Sequence, residues 1–583
     1  MYKIPFKQYT FTTFHLPLIS NFVLLMAVFM VCRLLFMLEN WETFTGVTPA
    51  ELKNLLRAGL LFDCSAICYV NMLYLFLQCC PFHYKETDSF QMLMKWIFIL
   101  FNGIAVTFSL LDTATFGYIG KHITADIFTI FPYRITTDEW IWGILKHCYL
   151  LPIGALLMWF IYRFYRKPLP LPIEHLQRYY IIGSIQCVIL CFFIVCGIRG
   201  SISPSTHPLN QITAFDYASK PLHASLALNA PFTICRTLGK RPYRIPKQAE
   251  REHVTYSPIH KGYQGRTDNR TNIIIILLED IQHSHLHAES TPTLHRLTKE
   301  GMTFRQCYAN GMKGTDTQAA VLCGLPMFIE SVTTSHAAMN NMSSLAHELQ
   351  SKSYLPYLLY HTPTKSDGFL KRCGFNQSHS WDKMENMQEP FVALSTIKET
   401  NAKATDAQLQ LFLKYAAQQR WYSHTLFVVV GDPDEEEKEI QSLPLWERLQ
   451  IPLILFHPSD KKIRGIQEIV AQQTDVLPTV LGYLHYDKPH FAFGNNLLAI
   501  HPKTSFAANY SNGIFQYIQG HFVLQTDGKV PLALYDLNES KHPKTNQLHQ
   551  RFPLLQREME ERLYALLQEY MTRINENRLT IHD

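Results

Sequence analysis

Five long apolar runs crowd the first 200 residues, and a chain with that many has few folds open to it. A helix needs about 20 apolar residues to cross the hydrocarbon of a bilayer. Leu16–Leu38, Leu55–Leu77, Trp96–Leu111 with its flanks, Trp142–Tyr162 and Tyr180–Ile198 all qualify. The first run is too long for a signal-peptide core and has no small-residue cleavage site, so it reads as a retained helix. Lys3 and Lys7 precede it, and Arg163, Arg166, Lys167 and Arg178 crowd the loop between the fourth and fifth runs. With five helices these basic loops share one side, which the positive-inside rule makes cytoplasmic. Everything after Ile198 is then outside.

The expected organisation is a five-helix transmembrane domain over 1–198, a basic juxtamembrane linker over 199–270 and an extracytoplasmic α/β domain over 271–583. In the linker, nine Lys or Arg between Arg236 and Arg270 face only Glu250, Glu252 and Asp268. Such a tether is drawn to anionic headgroups, or is a plain solvated connection. Arg57 and Asp63 fall within or beside the second run. Either they serve a function, or Arg57 snorkels to the interface while Asp63 pairs with a neighbouring helix. A net charge of +5 is too small for a nucleic-acid binder. Nine of the 13 cysteines lie in the apolar half; Cys235, Cys307, Cys323 and Cys373 remain, with no CxxC spacing to support a disulfide or a structural zinc.

Beyond residue 270 the pattern changes. Asn272–Leu278 (NIIIILL) is an apolar, β-branched run suited to a central parallel strand, and it ends in Glu279-Asp280. Thr425–Val430 ends in Gly431-Asp432, and Ile451–Phe456 reads as a third strand. Thr405–Ala417 and Ile466–Thr474 read as helices between strands, giving a doubly wound α/β domain. Leu554–Ile574 has the spacing of an amphipathic helix packed on the body. Open α/β sheets bind ligands at the carboxyl ends of their strands. Carboxylates at two such ends suit a divalent metal, Mg or Mn with oxygen donors alone, Zn if imidazole joins them. Thr315, in the loop Gly311–Thr317, is a nucleophile that an ion can activate. Strand-end Asp residues are often helix caps, which is the alternative for Asp432.

The run Thr291-Pro292-Thr293-Leu294-His295-Arg296-Leu297, continuing to Glu300-Gly301-Met302-Thr303-Phe304, resembles the TPxLxxLxxEGxxF stretch of the alkaline phosphatase/sulfatase superfamily. Gly314-Thr315-Asp316, Val321–Pro326, Trp421-Tyr422, Thr474–Thr479 and Gly494 follow in order. Together they resemble lipoteichoic acid synthases and related phosphoglycerol or phosphoethanolamine transferases, whose usual build is five membrane helices before an extracellular sulfatase-like domain.

The resemblance implies a cytoplasmic-membrane protein of a bacterium. It makes Glu279 and Asp432 metal ligands, and Thr315 both a ligand and the nucleophile that takes a phospho-headgroup from a membrane phospholipid. The acceptor would be an envelope glycan or glycolipid, and the ion Mn, Mg or Zn.

The departures are specific. The family's Asp-His at the end of the second strand is Asp432-Pro433 here, and proline cannot ligate. The Ser/Thr-rich stretch Ser395–Glu399 has no phosphate-contacting His, and Thr317 stands where related transferases often carry arginine. Asp280, His283, His361 and Asp434 are candidate substitute ligands, and Lys398 a candidate phosphate contact. The Cys323-Gly324-Leu325-Pro326 run lacks the spacing and arginine of a sulfatase nucleophile, and no GxSxG elbow marks a serine hydrolase. Two readings therefore stand at this point: a headgroup transferase, and a catalytically silent sulfatase-fold membrane protein acting as scaffold or binding module.

Overall fold

The computed structural model describes residues 11–44, 46–119, 122–125, 146–168, 176–202, 208–218, 221–239, 255–263, 271–311, 314–333, 335–361, 368–433, 443–511, 513–539, 546–548 and 552–581. The chain divides into two compact units, Met1–Pro242 and Tyr243–Asp583.

The first unit is helical. Phe11–Glu39, Pro49–Val70, Met72–Cys79, Asp88–Ile119, Leu150–Phe164 and Leu176–Arg199 are its long or apolar helices. Among the described residues, three are long and apolar enough to cross a membrane. A fourth span results if Pro49–Val70 and Met72–Cys79, bent by 63°, count as one. Leu150–Phe164, with 15 residues, is shorter than a span, and residues 126–145 before it lie outside the described set. By length and composition these helices suit a membrane protein.

Asp63 is fully buried in the second helix and pairs with Arg33 of the first, the neighbouring-helix partner that one sequence reading required, while Arg57 is exposed. The Arg33 guanidinium also donates to the carbonyls of Leu226 (2.6 Å) and Leu228 (2.8 Å), and Asn229 Nδ2 donates to Asp63 (2.7 Å). A Cβ at Gly59 would lie 2.7 Å from Arg33 Cζ, so glycine leaves the room the guanidinium fills. A second buried pair, Asp112 Oδ2 with His122 Nδ1 (2.6 Å), reaches Ser225 O through His122 Nε2 (2.9 Å). Charges in an apolar bundle persist only with such partners. Part of the segment expected as linker is thereby fastened to the helices.

The second unit carries the strands. In chain order they are β1 (Ile259–His260), β2 (Asn272–Leu278), β3 (Met302–Tyr308), β4 (Leu355–Tyr360), β5 (Gln377–Ser380), β6 (Phe391–Ile397) and β7 (Thr425–Gly431). They continue as β8 (Leu453–Phe456), β9 (Gly465–Gln472), β10 (His490–Phe491), β11 (Ala507–Ser511), β12 (Ile514–Gln519), β13 (Phe522–Thr526) and β14 (Pro531–Asp536). Eight form one sheet in the order β5-β4-β6-β2-β7-β8-β3-β9. Its first five strands are mutually parallel, and β8 runs antiparallel to both β7 and β3. Every residue of β2 and β7 is buried, which is why their sequences do not alternate.

Helices Pro292–Glu300 and Ala402–Ala417 cover the sheet through Leu294, Leu297, Leu409, Phe412 and Leu413. A four-stranded antiparallel sheet, β11–β14, and the helix Pro553–Glu576 complete the domain. One expectation is corrected. The Ile466–Thr474 stretch contains the strand β9, parallel to β3 at the sheet edge, in place of a helix. Ile466, Ile469 and Val470 have helical spacing, but only the last three residues of β9 are buried, so the burial period that would mark an edge strand is weak.

Candidate functional site

Four adjacent parallel strands, β4, β6, β2 and β7, end on one edge of the main sheet. The residues that directly follow them are His361, Lys398, Glu279-Asp280 and Asp432-Pro433. The ladder continues past the strand ends and fixes these positions. Glu279 N donates to Ile397 O (3.0 Å), Asp432 N to Leu278 O (3.0 Å), and Ile281 N to Asp432 O (3.0 Å). Asp280 turns the chain off the sheet with a φ of 60°, in the left-handed region. Gly431 is required by close approach, since a Cβ there would lie 2.4 Å from Ile281 O and 2.6 Å from Pro452 Cδ.

The helix Gly314–Cys323 begins against the two carboxylates. A Cβ on Gly314 would lie 3.3 Å from Glu279 Oε1 and 3.5 Å from Asp432 Oδ2. The positive end of the helix dipole therefore faces negative charge. Thr315 is the next residue, exposed in the first turn, with its Cα about 3.8 Å further along the chain.

Asp432 is buried. Thr317 donates its hydroxyl to Asp432 Oδ1 and accepts from Gln473 Nε2 (3.0 Å), which also donates to Gly431 O (3.0 Å). Gln473 Oε1 in turn accepts from Asn310 N (3.0 Å). Burial pushes the Asp432 carboxyl up to about 8; the Thr317 hydrogen bond lowers it, and the charges of Glu279, Asp316 and Asp280 raise it further. Sequence reasoning noticed Thr317 only as the absence of an arginine and missed Gln473 and Asn310. Their signal is weak, because Gln473 lies 156 residues from Thr317 and Asn310 takes part through its backbone N, so no recognisable spacing marks them.

Lys398 binds the other side of the cluster. Its ammonium lies 3.1 Å from Glu279 Oε2 and 3.2 Å from Asp280 Oδ2. Partial burial works against its charge, but the hydrogen bonds and charges of Glu279 and Asp280 carry its pKa above the ordinary lysine value. Two of the remaining candidates make other contacts. His361 is exposed and stacks on Trp381 at 4.9 Å. His283 is half-buried in the turn after Asp280, tied by its backbone N to Gln450 O (2.9 Å), and its pKa is lowered by burial and by the Arg305 and His287 charges. Asp434 lies outside the described residues.

Residues 271–401 match the family model described as Sulfatase. No curated protein matches the chain. Among solved structures, an alkaline phosphatase superfamily protein from Vibrio parahaemolyticus is similar at 17% identity, covering 57% of this chain and 95% of its own, with a TM-score of 0.48. The lipoteichoic acid synthase LtaP from Listeria monocytogenes is similar at 16% identity over 53% of this chain and 93% of its own, TM-score 0.43. The phosphonate monoester hydrolase of Agrobacterium radiobacter is similar at 12% identity over 52% of this chain and 96% of its own, TM-score 0.39. The second unit is an α/β domain whose residues 271–401 are like the sulfatase superfamily.

Proteins of that superfamily are generally metal-dependent, so the donor set is the test. Glu279 and Asp432 converge on Gly314, yet no group of three His, Cys, Asp or Glu among the described residues is placed to hold an ion. Pro433 offers no side-chain donor, a Thr317 hydroxyl occupies Asp432 Oδ1, and an ammonium already sits on Glu279 and Asp280. A divalent cation there would meet like charge at close range. The described residues do not fit a four-ligand metal site.

Proposed function

We propose that this chain is a multi-pass membrane protein of the bacterial cell envelope whose sulfatase-like domain is a metal-independent binding or scaffold module. The observation that carries this reading is the Lys398 ammonium on Glu279 and Asp280, a cation supplied by the chain where relatives use an ion. A hydroxyl is a poor nucleophile unless its proton is taken or its pKa lowered, and in the transferase reading that is the task of the ion. The five-span topology, with a cytoplasmic N-terminus and an outer large domain, belongs to this proposal. So do a membrane phospholipid and an envelope glycan or glycolipid as partners.

A second reading keeps the lipoteichoic acid synthase-like transferase, with Thr315 taking a phospho-headgroup. It is favoured by Gly314, which sets the first turn of its helix beside both carboxylates. Deleting the gene and replacing Thr315 by alanine separate the two. The module reading expects a deletion phenotype that Thr315→Ala fully rescues, with no donor lipid consumed. Donor-lipid turnover abolished by Thr315→Ala would establish the transferase instead.

A further inference from the structure

We infer that Cys323 and Cys373 form a disulfide in the mature protein, clamping the far end of the helix that begins at the candidate site. Their Sγ atoms lie 3.6 Å apart although the residues are 50 positions apart in sequence. Cys323 closes the helix Gly314–Cys323, and Cys373 directly follows the helix Gly368–Arg372. Both residues are buried.

Two buried thiols in contact are also what simple packing of small apolar side chains produces. What favours the bond is its place: the two sulfurs face each other at the ends of two helices, 50 residues apart in sequence, so a bond there closes a long loop and constrains the unfolded chain.

The chemistry closes by thiol–disulfide exchange. One thiolate attacks a sulfur of an oxidant disulfide and expels its other sulfur as a thiolate. The second thiolate of the pair then attacks the mixed disulfide, forming the Cys323–Cys373 bond and expelling the remaining oxidant sulfur. The pair loses two protons and two electrons, and the oxidant leaves as a dithiol. Burial of both sulfurs requires that this happen during folding, before the helix packs.

The inference rests on the proposed outer placement of the domain, because disulfides persist in oxidising compartments. Membranes should be quenched with an alkylating reagent, the full-length protein denatured and digested without reductant, and the peptides weighed. The expected result is one linked peptide pair spanning Cys323 and Cys373, lost in Cys323→Ser, which also melts several degrees lower. Purified, reduced protein should be refolded in parallel with an oxidised dithiol. If both cysteines are recovered alkylated from that sample, the geometry is wrong and the inference falls. A bond that forms on refolding but is missing from cells overturns the inference through the outer placement instead.

Discussion

Thr317 shows how one side chain decides what a strand-end carboxylate is for. Its hydroxyl donates to Asp432 and accepts from Gln473, so both buried groups are satisfied from one atom. Thr317→Val keeps the shape and removes the oxygen, leaving two buried polar atoms without that partner. Such orphaning costs about 1–3 kcal/mol. The expected outcome is a drop of that size in stability by denaturant titration, with Thr317→Ser close to wild type. Glu279 and Asp432 were legible in the sequence because an apolar, β-branched run ending in an acid is a local pattern. The hydroxyl–amide chain behind Asp432 was not, since it joins residues from separate elements and depends on burial, which no spacing encodes. Lys398 was legible only as a charge near the site; its ion pairs with Glu279 and Asp280 depend on the strand ends meeting at one edge.

At the scale of elements, β2 and β7 were read correctly because complete burial removes ambiguity, whereas β9 was missed because an edge strand buries only one end. The close approach at Gly431 gives a direct test of the β7 position. Gly431→Ala would set a methyl against Ile281 O and Pro452, and overpacking of this kind costs about 1–3 kcal/mol. A lower melting temperature is expected, and an unchanged one would mean that β7 and the turn after β2 are further apart.

The small β1–β10 sheet carries a pH response. His490 is buried and stacks on His260 at 5.1 Å; burial and the His260 charge push its pKa down to about 4. The folded state then binds fewer protons than the unfolded chain between that value and the ordinary histidine value near 6.5. Stability from this group is therefore full above about pH 6.5 and is lost as pH falls toward 4, by at most about 1.4 kcal/mol per unit. His490→Gln should lose less stability than wild type between about pH 7 and pH 5 in paired melting curves.

Across the whole molecule, the division into an apolar helical unit and an α/β unit was legible because each follows from long runs of residue types. The count of spans was less so: the second run breaks at Asn71 into two helices 63° apart, and the helix at Leu150–Phe164 has 15 residues. Cysteine labelling from either side of the membrane should find residue 300 outside, and labelling from the cytoplasm would refute the proposed topology.

The central claim is that the chain supplies its own cation. Metal bound by the purified full-length protein, measured by elemental analysis after incubation with Mn, Mg or Zn and removal of excess ion, tests it most directly. The expected result is no stoichiometric metal in the wild type, and a gain in the double variant Lys398→Ala with Pro433→His, which removes the ammonium and restores an imidazole. Stoichiometric metal in the wild type that disappears in Glu279→Gln would show that Lys398 does not take the place of an ion.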